Sequence, residues 1–156
     1  MMPSLGTRLR KFARNEHGAA VIELALVAPV FAALLIGMVD LGRAYSAKLQ
    51  LEQASQRAIE RVMNGQADTT VATALKAEAA STAGVPLAQA TVDFWLECNG
   101  TRAANYNSAC VGGQVSRRYL SVTITKTFTP MFSTRFAGAN ANGTYTLTGA
   151  TGVRIQ

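Results

Sequence analysis

The spacing of hydrophobic positions changes twice along this chain. From Ala19 to Val39 the apolar residues are continuous, and Glu23 is the only charged residue among these 21. At a rise of about 1.5 Å per residue, a helix of this length spans roughly 31 Å, close to the hydrocarbon thickness of a bilayer. The pattern therefore predicts a membrane-spanning helix over residues 19–39.

Beyond Val39 the apolar residues recur every three or four positions, as on one face of an amphipathic helix. They are Leu41, Ala44, Ala47, Leu51, Ala54, Ala58 and Val62. This spacing predicts that the same helix continues to about Met63 and ends at Asn64-Gly65. Pro29 lacks an amide hydrogen, so we expect a kink there. We expect the apolar stripe to pack on the chain's own head, although its small alanines also suit a coiled coil with another protein.

The remaining segments predict a second helix and a small sheet. Asp68 is a suitable N-cap for a helix over residues 69–82, which Gly84 and Pro86 would close. The apolar period then becomes two, at Val92, Phe94, Leu96 and Cys98, at Leu120, Val122 and Ile124, and at Tyr145, Leu147, Val153 and Ile155. Alternation of this kind predicts a three-stranded antiparallel sheet, with one face on the long helix and a threonine-rich face in solvent. The predicted fold class is α+β.

The positive charge is concentrated at the start of the chain. The whole chain carries 15 Lys+Arg against 9 Asp+Glu, a net charge of +6. Residues 1–18 supply half of it, through Arg8, Arg10, Lys11 and Arg14 against Glu16. Basic residues before an apolar run indicate a cytoplasmic N-terminal side. We therefore interpret the charge as a topology signal and predict no nucleic-acid partner, since no basic stripe with interleaved aromatics follows.

The residues that usually carry catalysis or bind metal are scarce. The chain has one histidine, His17, and two cysteines, too few for a cysteine-built zinc site. No glycine-rich phosphate loop and no nucleophilic serine elbow is present in the sequence. Asp93 and Glu97 fall on one strand face, where carboxylates beside threonines usually only face solvent. We predict no enzymatic activity, no metal and no cofactor.

Cys98 and Cys110 bracket a polar loop rich in turn-forming residues. On the far side of a bacterial inner membrane they would meet an oxidising compartment, where a disulfide persists. Closing such a loop adds about 3 kcal/mol of stability by the loop-entropy estimate. The loop either serves stability alone or also displays a binding surface, with Arg102 and Tyr106 at its tip.

Three hypotheses account for the apolar segment. The first, a secretory signal, would have a shorter apolar core. The second, a simple membrane anchor, does not explain Glu23, because a carboxylate without a partner inside a membrane costs free energy. The third hypothesis explains the acid, because the segment from Gly18 to Glu23 resembles the processing site of type IV prepilins. There a membrane aspartic peptidase cuts after the glycine, and the glutamate becomes the fifth residue of the mature chain. By this resemblance Gly18 is the last leader residue and Ala19 the new N-terminus.

The resemblance extends over about residues 8–63 to one family, the TadE-like minor pseudopilins of the tight-adherence (Tad, or type IVc) pilus system. The matching positions are Gly18, Glu23, Pro29, Gly37, Asp40, Gly42 and Arg43. The resemblance implies a pilin-like lollipop fold, cleavage between Gly18 and Ala19 by a prepilin peptidase, and pairing of the Glu23 carboxylate with the terminal amine of Ala19 in a neighbouring subunit. Leu24 stands where small major pilins carry tyrosine, so a minor role is implied.

The predicted organisation follows from these features. Residues 1–18 are a cytoplasmic leader, 19–39 the transmembrane half of the first helix, and 40–156 a periplasmic head that includes the amphipathic half. The implied partners are the prepilin peptidase, other minor pseudopilins, the major pilin and the inner-membrane assembly platform, in support of adhesion and biofilm formation. The alternative is an unprocessed single-pass membrane protein with a periplasmic scaffold or binding head.

Overall fold

The computed structural model describes residues 16–63, 71–131 and 138–155. In chain order the elements are helix α1 (Glu16–Met63), helix α2 (Ala72–Ala83), a short 3-10 turn (Leu87–Gln89), and strands β1 (Ala90–Cys98), β2 (Thr101–Arg102), β3 (Ser116–Phe128) and β4 (Tyr145–Arg154). The predicted α+β class is confirmed. The chain divides into two compact units, with the boundary after Leu41, inside α1.

In the first unit, α1 presents its apolar side chains outward. Leu24, Leu26 and Met38 are among them, each with more than half of its surface exposed. Among the described residues, α1 is the one helix that is long and apolar enough to cross a membrane. Pro29 lies inside the helix, where its missing amide removes a backbone hydrogen bond; the kink itself stays a prediction.

In the second unit, the remainder of α1 packs on the sheet together with α2. The buried hydrophobic residues of this part of α1 are Leu51, Ala54, Ala58, Ile59 and Val62. Four of these five belong to the predicted apolar stripe, so the prediction that the stripe packs on the chain's own head is confirmed from Leu51 to Val62. Leu41, at the start of the stripe, is exposed. The small alanines allow the helix to lie close to its neighbours. An exposed ion pair between Arg61 and Glu78, with 2.6 Å between nitrogen and oxygen, also links α1 to α2.

Helix α2 is shorter at its start than the prediction of 69–82. It begins at Ala72, and Val71 occupies its N-cap position without a side-chain hydrogen bond. Its end agrees with the sequence signal, because Gly84 adopts the left-handed conformation at φ 63° and its amide donates to the carbonyls of the last turn. The predicted N-cap Asp68 and the predicted helix end at Asn64-Gly65 lie outside the described residues.

The sheet has four antiparallel strands in the order β2-β1-β3-β4, so the prediction of three strands is wrong in this detail. The fourth, β2, has two residues and pairs with the end of β1. Two residues are too few to show an alternating pattern. The three longer strands are confirmed, with Val92 opposite Val122 and Leu120 opposite Val153 on the face that packs on the helices. The opposite face carries the exposed Thr91, Thr146 and Thr148, as predicted.

Helix α1 and strand β4 meet at a glycine that the sequence analysis did not single out. A Cβ atom added at Gly149 would lie 2.6 Å from the amide nitrogen of Glu52 and closer still to the carbonyl carbon of Leu51. Nearby, the fully buried hydroxyl of Ser55 lies 2.7 Å from the hydroxyl of Thr151 and donates to the carbonyl of Glu52. The helix backbone therefore lies directly on the backbone of β4.

Candidate functional site

The residues predicted to be cut and to direct assembly lie in the first two turns of α1. Because α1 begins at Glu16, both Gly18 and Ala19 lie in its first turn. The predicted scissile bond therefore lies at the start of the described part of α1.

Glu23 is an exposed acid in an exposed apolar surface. Its neighbours Val21, Ile22 and Leu24 each expose about two thirds of their surface. In a bilayer or a helix bundle these apolar neighbours gain a suitable environment, whereas the carboxylate requires a partner. Ala19 precedes Glu23 by four residues, about 6 Å along the helix axis and on the same side of the helix. An amine created at residue 19 would thus lie near this carboxylate in the same chain.

The predicted disulfide between Cys98 and Cys110 is present, with 5.6 Å between the two Cα atoms. It joins the end of β1 to the loop that precedes β3. Asn99 and Gly100 begin this loop, both with positive φ, at 51° and 82°. Such values suit the turn-forming residues that the sequence places there.

The loop closed by this disulfide is fixed to both faces of the sheet. On the outer face, Arg102 donates to both carboxylate oxygens of Asp93, each at 2.9 Å, and its guanidinium lies over the ring of Trp95. On the helix-packed face, Tyr106 contacts the ring of Phe94 edge-on at 5.5 Å between centroids, beneath Arg118. Arg102 and Tyr106 are therefore anchors of the loop rather than its displayed tip. These contacts favour stability as the role of the loop.

The carboxylates of the outer face also have partners. Asp93 pairs with Arg102, and Glu97 accepts a hydrogen bond from the indole of Trp95 at 3.0 Å. The ring of Trp95 stacks on Tyr119 of the next strand. No signal in the sequence separates these pairs from ordinary solvated residues, since they depend on the register of β1 against β3. Within the described ranges, no group of three or more potential metal ligands comes together.

Replacing both Cys98 and Cys110 with alanine should lower the free energy of unfolding by about 2–3 kcal/mol, because the unfolded chain regains the freedom of the loop. Thermal unfolding of the full chain in detergent, followed by circular dichroism, measures the change. Wild-type protein treated with a reductant serves as the control, because it should lose a similar amount of stability. An unchanged melting temperature in both samples would show that the bond does not stabilise the head.

Comparison with known proteins gives one family match. Residues 18–59 match the family model described as TadE-like protein. The match begins at Gly18, the predicted last residue of the leader, and ends within α1. No curated protein and no solved structure matches the chain significantly.

Proposed function

We propose, from the match of residues 18–59 to the TadE-like family model, that this chain is a minor pseudopilin of the Tad pilus system which a prepilin peptidase cuts after Gly18. The observation that carries this proposal is the position of Glu23, an acid within the exposed apolar half of α1 and five residues beyond Gly18. In a simple membrane anchor, a carboxylate within the apolar helix costs free energy and gains nothing. In a subunit that packs through this helix, the same carboxylate can pair with a positive charge.

In the proposed mechanism, the Glu23 carboxylate and the α-amine of Ala19 pair, because either charge is unfavourable when it is unpaired in a bundle of apolar helices. Cleavage removes 18 of 156 residues and creates an α-amine at Ala19. When α1 enters a helix bundle, the Glu23 carboxylate pairs with the amine of a neighbouring subunit. An unpaired charge in such surroundings costs several kcal/mol, so the pair favours one axial position of the incoming helix over its alternatives.

The location and partners follow from the same features. The single apolar helix and the family match indicate a single-pass membrane protein in a pilus system. We further propose that the leader is cytoplasmic and the disulfide-containing head periplasmic, as the basic leader and the Cys98–Cys110 bond both favour. The partners would be the major pilin, other minor pseudopilins and the inner-membrane assembly platform. Through pilus assembly or priming, the protein would support adhesion and biofilm formation.

The mass of the mature chain tests the proposal directly. In cells with an active prepilin peptidase, intact-mass spectrometry should find a chain of 138 residues (156 − 18) that begins at Ala19. Cells without the peptidase should retain all residues of the leader. A Gly18→Leu variant provides a matched control, because a bulky residue at the cut should preserve the leader even when the peptidase is active.

The rival hypothesis, an unprocessed single-pass protein with a scaffold or binding head, makes the opposite prediction. It requires an intact leader in both strains and no effect of Gly18→Leu on the mass. That result would reject the pseudopilin mechanism while leaving the association with the pilus system in place.

A further inference from the structure

The two edges of the sheet are protected to different extents. At the β1 edge, β2 pairs with residues Glu97 and Cys98, and the disulfide-closed loop covers the end of the strand. Arg102 secures this cover through Asp93 and Trp95. Proteins commonly cover an edge in this way, because its unpaired amides and carbonyls otherwise recruit strands from other chains.

Within residues 16–63, 71–131 and 138–155, the outer side of β4 has neither a paired strand nor a disulfide-closed loop over it. Its pairing with β3 is one to one from Tyr145 to Arg154, without a bulge. The segment from Tyr145 to Val153 contains neither a charged residue nor a proline. A ten-residue strand of this kind is a ready template for another strand.

The register identifies which backbone groups face outward. The amide of Ile155 donates to the carbonyl of Arg118 at 2.8 Å, so residue 155 bonds to the β3 side. Because bonded and non-bonded positions alternate in an antiparallel pair, the even-numbered residues of β4 direct their amides and carbonyls away from β3. These outward residues include Thr146, Thr148, Ala150 and Gly152. All four are exposed and small, so they leave the edge open to another backbone.

We infer that the outer edge of β4 is a docking surface for an extended segment of another pilus subunit, which joins the sheet as a fifth strand. That the partner is a pilus subunit rests on the proposed function. Donors and acceptors repeat along this edge about every 6.6 Å, a spacing that another extended backbone matches. The absence of charge over residues 145–153 calls for a partner segment with few charged side chains.

The direction of α1 argues that this segment does not come from the β4 strand of a second copy. The guanidinium of Arg43 lies over Phe128, which is opposite Tyr145, while Leu51 lies at Gly149 and Ser55 bonds to Thr151. This part of α1 therefore runs in the same direction as β4. If the β4 edges of two copies paired about a twofold axis, the two strands would be antiparallel. The two α1 segments, which follow the direction of β4, would then run in opposite directions. Copies that assemble with one polarity keep this segment of α1 parallel, so the occupant is a different subunit.

Hydrogen–deuterium exchange tests the inference amide by amide. The full chain is measured alone in detergent and again in the membrane complex isolated from cells that produce the whole pilus system. Alone, the amides of Thr146, Thr148 and Ala150 should exchange quickly, between slowly exchanging odd-numbered neighbours. In the complex the same outward amides should slow by on the order of 100-fold, because an added strand accepts their hydrogen bonds.

Two substitutions at one position give an independent test. Ala150→Pro removes an outward amide without removing a bond to β3, so the head should keep its melting temperature within a few degrees and lose at least about tenfold in recovery with the complex. Ala150→Thr is the matched control, because it keeps the amide and should be recovered like the wild type. Equal recovery of both variants would overturn the inference.

The outcomes separate this inference from the proposed function. A cleaved chain that enters the complex with outward amides still exchanging quickly overturns the docking surface alone. Protection that develops in the isolated chain as its concentration rises assigns the edge to a second copy and overturns the choice of a different subunit. Absence of the chain from any pilus complex overturns both.

Discussion

Gly149→Ala should lower the free energy of unfolding of the head by at least about 3 kcal/mol, a larger loss than most overpacking substitutions cause. The added methyl group would be 2.6 Å from the amide nitrogen of Glu52 and nearer still to the carbonyl carbon of Leu51. Both are backbone atoms, so no side-chain rotation can relieve the contact. Either α1 moves away from β4, which loosens the packing of Leu51, or the strand itself is displaced.

Thermal unfolding of the full chain in detergent measures this loss, which corresponds to a decrease in melting temperature of roughly 10 °C. Gly152→Ala on the same strand is the control. Its added methyl group would meet only ordinary contacts, 3.6 Å from the carbonyl oxygen of Leu120 and 3.7 Å from the Cβ of Ser121. The control should remain within about 1 kcal/mol of the wild type. Similar melting temperatures for the two variants would show that α1 does not lie on the β4 backbone.

The long helix and the main strands could be predicted because their periods are strong and local. Twenty-one apolar residues in succession and then a regular three-to-four spacing define α1, and three alternating segments define β1, β3 and β4. The disulfide was also predictable, since the chain offers only two cysteines. These features depend on residues close together in the sequence.

Features that depend on how elements meet could not be predicted. Gly149 is one of 13 glycines, and an isolated glycine in a strand indicates a bulge or a close backbone approach without saying which. Only the packing of α1 on β4 distinguishes it. Likewise β2 has only two residues, which pair with Glu97 and Cys98 of β1, while the side chain of Arg102 bonds to Asp93. The positions of Arg102 and Tyr106 as anchors of the loop depend on the fold in the same way.

The candidate site residues, unlike Gly149 and β2, could be identified from the sequence. The sequence marks Gly18, Ala19 and Glu23, by their spacing and by a charge where apolar residues prevail. The structure adds their common position in the first turns of α1. It also adds the exposure of the apolar surface around Glu23. The function of that surface depends on other subunits, which is why an assembly experiment is needed to test it.

Glu23→Ala should leave processing intact and reduce incorporation of the chain into pili or their assembly complexes at least about tenfold. Cleavage depends on the segment around Gly18, which the substitution leaves unchanged. Packing of the mature helix, in contrast, would place the amine of Ala19 in apolar surroundings without its carboxylate, and a buried charge that loses its partner costs about 3–5 kcal/mol. Since 1.4 kcal/mol corresponds to a factor of ten, even partial burial gives a measurable loss.

Mass spectrometry of the chain and its quantity in sheared pili and membrane complexes measure the two steps separately. Glu52→Gln is the matched control on the same helix, because Glu52 forms an exposed pair with Lys48 at 3.7 Å and such pairs contribute little. It should be processed and incorporated like the wild type. Normal incorporation of Glu23→Ala would contradict the charge-pair mechanism, and loss of cleavage in that variant would instead place Glu23 among the residues that the peptidase recognises. A deficit confined to incorporation, and absent from Glu52→Gln, is the result that only pairing inside the helix bundle explains.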